Sequence, residues 1–149
     1  RGRPWVLTPG VDADSEALAL VSRLVMHCNA VEVHMSAAEH DRVVATTSHL
    51  VQVASSALAG QLLDLAPGQA HISGPALADM TRVAASDPYL WLGILSANRA
   101  AVAEQVRMYA ENLQRLAQAL AAGDEAAVSE FLRRGQQGRH LLDRDMPSA

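Results

Sequence analysis

Cysteine is nearly absent from this chain of 149 residues, with Cys28 the single example. That excludes an intramolecular disulfide and leaves too little sulfur for a thiolate zinc site. Aromatic residues make up 3% and glycine numbers only 9, while half the residues are hydrophobic. Alanine, leucine and valine dominate instead, which points to a mostly helical protein. The formal net charge is −4, so there is no electrostatic footprint for DNA or RNA. No charge-free run approaches the length of a membrane span, since Arg23 interrupts Ala17 to Met26. The glycines build neither a G-x-G-x-x-G turn nor a P-loop. No H-E-x-x-H occurs, and His27-Cys28 and the His34/His40 pair lack familiar metal-ligand spacing, so no metal is expected. The opening Arg1-Gly2-Arg3-Pro4-Trp5 has no initiator methionine and no signal-peptide block. It reads as a cut inside a longer, cytoplasmic protein.

What is present divides the chain at Ser36. Trp5-Val6-Leu7-Thr8-Pro9-Gly10 suits a strand entering a turn. Asp12, Asp14 and Ser15 offer N-caps to a helix carrying Leu18, Val21, Leu24, Val25 and Cys28, with Asn29 as its stop. Val31, Val33 and Met35 alternate with Glu32 and His34, the period of a half-buried strand. Residues 1–35 therefore read strand, helix, strand: one α/β crossover, the trailing edge of a domain whose body lies elsewhere. Residues 36–149 read as all-helical. Ser36-Ala37-Ala38-Glu39 is a capping box opening a run with no proline or glycine until Gly60 that ends by Ala66-Pro67-Gly68, read as a helix of more than twenty residues. Residues 67–80 hold two prolines and two glycines, as a loop or short helical turns would. Asp87-Pro88 starts another helix, whose next clear stop is Gly123, for a length of about 50 Å. Gly93 is its weak point. Asp124 caps a last helix with Val128, Phe131 and Leu132, its end loosened by Gly135 and Gly138.

The long helix carries a seam. Val102, Val106, Tyr109, Leu113, Leu116 and Leu120 repeat at four and three residues, the spacing of a helix–helix contact. The partner is either another helix of the same chain or a second subunit. Two further segments hold polar groups among apolar ones. Ser48, His49 and Gln52 lie within one helical turn, with Ser48 and Gln52 on one face at i and i+4. Such side chains must meet water, one another or a ligand. Arg82, beside Thr81 and before an apolar Val83-Ala84-Ala85 run, can present its planar fork to a carboxylate. The plainer alternatives are a packed or solvated histidine, and an Arg82 paired with Asp79 or Asp87.

Several motifs recur together and in order: Gly2-Arg3-Pro4-Trp5-Val6-Leu7-Thr8-Pro9, Glu39-His40-Asp41-Arg42, Ser48-His49-Leu50, Thr81-Arg82-Val83-Ala84 and Ser86-Asp87-Pro88-x-x-Trp91. In this combination the chain resembles the prephenate/arogenate dehydrogenase family of tyrosine biosynthesis, from its first residue to about Arg139. The resemblance implies an oxidative decarboxylation: hydride passes from prephenate or arogenate to NAD or NADP, CO₂ leaves, and an aromatic ring remains. It also implies an N-terminal dinucleotide-binding domain, a helical domain that forms an intertwined homodimer, and an active site between them. This chain then corresponds to a remnant of the first domain plus the substrate-binding and dimerisation domain. The glycine-rich fingerprint and the catalytic histidine would lie upstream, so the piece alone should be inactive and bind no cofactor tightly.

By the same resemblance Arg82 matches a carboxylate-binding arginine, and Ser48 and His49 match a cleft-lining pair. Trp91 matches a tryptophan near the substrate, and His40 and Asp41 a pair at the domain junction. Two positions depart from the pattern. Val51 replaces a proline, which restores a backbone donor and should straighten the helix. Gln52 replaces a second histidine and cannot become a cation, which implies weak or altered inhibition by tyrosine. A different function on the same scaffold is a non-catalytic dimerisation or tyrosine-sensing module.

Overall fold

The computed structural model describes residues 2–145. Two strands and seven α-helices follow in order: β1 (Pro4–Leu7), α1 (Ser15–His27), β2 (Val31–His34), α2 (Ala37–Val44), α3 (Leu50–Gly60), α4 (Pro75–Thr81), α5 (Pro88–Ala97), α6 (Arg99–Ala122) and α7 (Glu125–Asp145). A π-helical turn (Ala45–His49) joins α2 to α3, and 3₁₀ turns cover Gln61–Asp64, Gln69–Ile72 and Arg82–Ala85. The protein is thus mainly helical with a small strand–helix–strand piece at its start.

The chain forms two compact units, residues 1–40 with 109–149, and residues 41–108. In the first, β1 and β2 pair in parallel, with Pro4 opposite Val31 and Leu7 opposite His34. Parallel neighbours need a crossover, and α1 supplies it. Of the three caps offered in sequence, Asp14 is used: its carboxylate accepts from Glu16 N at 2.8 Å and Ala17 N at 3.4 Å. Asn29 ends the helix in the left-handed region at φ 53. There Ala30 N bonds Val25 O and Asn29 N bonds Met26 O, the paired closure that satisfies a helix's last carbonyls. Val25 is fully buried. Leu20, Leu24, Met26 and Val31 remain exposed, because two strands and one helix have too little surface to cover both faces.

The part of α6 from Tyr109 onward and α7 belong to the same unit. Gly123 at φ 68 sits in the same closure, with Gly123 N bonding Leu120 O and Asp124 N bonding Ala119 O, and the Asp124 carboxylate caps α7 through Ala127 N at 3.0 Å. Gly135 and Gly138 do not loosen α7, which continues through both. Ion pairs one turn apart, Glu130 with Arg133 and Arg139 with Asp143, flank the glycines and support the helix locally. Tyr109, Leu113, Leu116 and Phe131 line a groove of about 510 Å³ between the two helices.

In the second unit, α3 packs on α4 and on the 3₁₀ turn Arg82–Ala85. The helix expected over 36–60 is present but changes pitch, because five residues from Ala45 to His49 adopt the π register. Ala45 and His49, at either end of that turn, are both buried. The long helix expected from Pro88 to Gly123 is broken at Asn98, not weakened at Gly93. Asn98 sits at φ −112, ψ 31, outside helical geometry, and its side chain donates to the Asp41 carbonyl. Among the described residues no helix is long and apolar enough to cross a membrane.

Candidate functional site

The site begins with the wide turn. The π turn, which closes i→i+5 hydrogen bonds, keeps Ala45 and His49 buried together. Ser48 is exposed while Gln52 is buried, so the two do not share an environment. His49, Gln52 and Ser55 are buried instead, at 9%, 6% and 4% exposure, three residues apart along one face. Ser55 escaped the sequence reading, although its spacing from Gln52 repeats that of Gln52 from His49.

Each member of this row is held differently. The His49 ring meets Trp91 of α5 edge to face, with centroids 6.2 Å apart and planes at 81°. Trp91 reaches it because Asp87 caps α5 through Tyr89 N at 2.9 Å and Pro88 fixes the first turn. Asn98 Nδ2 lies 3.4 Å from His49 Nδ1 and donates to the Asp41 carbonyl at 2.7 Å. Asn98 too was missed in sequence, where an asparagine after an apolar helix signals only a possible cap. Gln52 Nε2 donates to Ser56 Oγ at 3.3 Å. Gln52 Oε1 and Ser55 Oγ are sealed from solvent and have no partner. A sealed polar atom without a hydrogen bond costs about 1–3 kcal/mol. Ser55→Ala is therefore expected to stabilise the chain by about 1 kcal/mol and raise Tm by about 2–4 °C. Differential scanning calorimetry checks this, and a lowered Tm would show that the hydroxyl is satisfied in solution.

Arg82 opens the 3₁₀ turn that packs on α3, and its side chain is exposed. It pairs with neither Asp79 nor Asp87, and no hydrogen bond or ion pair holds its guanidinium among the described residues. The structure thus joins His49, Gln52 and Trp91, adds Ser55 and Asn98, and sets Arg82 on the adjoining segment. His40 is half-buried and Asp41 exposed, and the division between the compact units falls between them. Along the seam, Val102 is buried and Val106 and Leu116 are half-buried, whereas Tyr109, Leu113 and Leu120 are exposed. No group of three or more His, Cys, Asp or Glu gathers to hold a metal among the described residues.

Comparison with known proteins identifies the class. The family model described as prephenate dehydrogenase, dimerization domain, matches residues 36–134. The chain belongs to the prephenate dehydrogenase family. It is 30% identical to a probable prephenate dehydrogenase, NovF, of Streptomyces niveus, over 95% of this chain and 42% of that protein. It is 31% identical to cyclohexadienyl dehydrogenase of Zymomonas mobilis, over 95% of this chain and 50% of that one. Among solved structures, it superposes on Aquifex aeolicus prephenate dehydrogenase in complex with hydroxyphenyl propionate and NAD⁺ with a TM-score of 0.83 at 27% identity, covering 93% of this chain and 50% of that one. Synechocystis arogenate dehydrogenase gives 0.78 at 25% identity, covering 96% and 52%. The chain spans about half the length of the relatives it matches.

Proposed function

We propose that this chain is the substrate-binding and dimer-forming part of an NAD(P)-dependent prephenate or arogenate dehydrogenase. The observation that supports this best is the buried row His49–Gln52–Ser55, edged by Trp91 and adjoined by the unpaired Arg82. Gln52 Oε1 and Ser55 Oγ are sealed, so a ligand would be met by His49 at the head of the row and by Trp91 and Arg82 beside it. A substrate bearing two carboxylates and a ring that is about to become aromatic needs three things. It needs a cation, an apolar wall and hydrogen-bonding groups on rigid elements, and these residues supply all three. Arg82 would take a carboxylate through its fork, Trp91 would wall the ring, and His49 would hydrogen-bond the substrate's polar substituents. Ser48, exposed at the end of the wide turn, would line the entrance.

The nicotinamide cofactor would supply the hydride acceptor and would be held by a part of the intact protein outside these residues. His40 and Asp41 would stand at the junction with that part. Residues 1–35 would be its last strand, helix and strand, and residues 36–149 the helical domain. A second copy would cover the exposed half of the seam. The test is oxidation of prephenate and arogenate, followed by absorbance of reduced NAD or NADP. The intact protein is expected to turn over one or both, and the 149-residue chain alone neither. Turnover by the short chain, or none by the intact protein, overturns the reading.

Gln52 bears on regulation. A neutral amide whose nitrogen is already given to Ser56 offers a tyrosine carboxylate no cation. Inhibition of the intact enzyme by tyrosine is expected to be weak and to strengthen in Gln52→His. Tight inhibition of the unaltered enzyme would reject this.

A further inference from the structure

The break between α5 and α6 places an amide where it controls an imidazole. Asn98 Nδ2 lies 2.7 Å from the Asp41 carbonyl oxygen, which is able only to accept. The atom facing it is therefore the nitrogen, and the orientation of the amide is fixed by that one contact. The same –NH₂ carries a second hydrogen, and His49 Nδ1 stands 3.4 Å away. An Nδ1 that accepts this second hydrogen carries no proton of its own. In the neutral ring the proton then resides on Nε2. Nε2 has no partner among the described residues, and it is not one of the sealed unpartnered atoms. It is the end of the ring left for a ligand.

We propose that Asn98 is a positioning residue: it reads the Asp41 carbonyl to fix its own orientation, then holds His49 as the Nε2–H tautomer. His49 is thereby a hydrogen-bond donor toward the site, matched to a carboxylate or carbonyl oxygen of the substrate. The use of that donor rests on the dehydrogenase reading above, whereas the tautomer itself does not. The arrangement stands at the helix break. At the break Asn98 departs from helical backbone geometry, and its amide reaches both the Asp41 carbonyl within α2 and His49 at the end of the π turn. Trp91, one turn into α5, closes the ring's edge and hinders a flip that would exchange the two nitrogens.

The tautomer is directly readable by long-range ¹H–¹⁵N correlation of the histidine side chains, at a pH above the ordinary titration range of imidazole. In the unaltered 149-residue chain His49 Nδ1 is expected to resonate as the bare, accepting nitrogen and Nε2 as the protonated one. Asn98→Asp replaces the donor by an acceptor of the same shape and is expected to move the proton to Nδ1. Asn98→Ala removes the constraint and is expected to lower the Nε2–H to Nδ1–H ratio by about fivefold. A protonated Nδ1 in the unaltered chain overturns the proposal without recourse to any variant. So does a ratio unchanged in a folded Asn98→Asp or Asn98→Ala. A merely structural asparagine would lower Tm and leave the tautomer as it was. Because no turnover is measured, failure of the dehydrogenase reading would leave this result intact, and the reverse also holds.

Discussion

Arg82→Ala in the intact enzyme is expected to raise KM for the ring substrate tenfold or more, with a smaller change in kcat. A hydrogen bond between a guanidinium and a carboxylate contributes about 1.5–3 kcal/mol, which corresponds to roughly 10- to 150-fold in affinity. Arg82 has no competing partner among the described residues, so the interaction is open to a ligand. The same exposure makes the substitution harmless to the fold. Tm should stay within about 1 °C, since surface changes away from special features usually alter stability by less than 0.5 kcal/mol. Arg82→Lys keeps the charge but loses the two-pronged geometry, and should fall between the two. Steady-state kinetics with both substrates decides the matter. A KM within twofold of the parent would remove Arg82 from the site.

The second large effect concerns association. Leu113 and Leu120 are 42% and 60% exposed, although they continue a stripe whose first member, Val102, is buried. An apolar stripe that is covered at one end and bare at the other requires a partner for the bare end. The groove between α6 and α7 runs beside it, with Leu113 and Leu116 on its wall. Leu113→Asp combined with Leu120→Asp would place two uncompensated carboxylates in such an interface. The dimer dissociation constant is expected to rise on the order of a hundredfold or more. Light scattering across a dilution series reads this directly. Circular dichroism should meanwhile show unchanged helix, because both side chains are exposed in the single chain. A dimer of undiminished affinity would show that the copies meet elsewhere.

The parts of this molecule that sequence made legible are those decided within a few residues. Asp14, Asp87 and Asp124 cap helices because a carboxylate needs only the next two or three amides. Asn29 and Gly123 end helices because they tolerate positive φ. The alternation around Val33 gave a strand for the same local reason. What stayed hidden depends on contacts far along the chain. Asn98 is 57 residues from the carbonyl that holds it, and no spacing rule connects the two. The wide turn at Ala45–His49 carries no glycine or proline to announce it, and Val51 gives back the amide whose loss would have suggested a bend. Sequence placed Ser48, His49 and Gln52 within one turn; burial keeps His49 with Gln52, adds Ser55 and leaves Ser48 exposed. At the candidate site, residue types and part of their grouping were readable, and the distant partners were not.

The π turn also constrains how this helix can change over generations. One residue more or fewer rotates everything upstream by about 100° about the axis. Deleting a single residue between Thr46 and Ser48 would restore ordinary pitch, and would swing Asp41 and its carbonyl away from Asn98 while leaving the His49 row in place. A lineage that repaired the irregularity would thus lose the registration of two distant helices. The wide turn sets the rotational phase between the His49 row and Asp41.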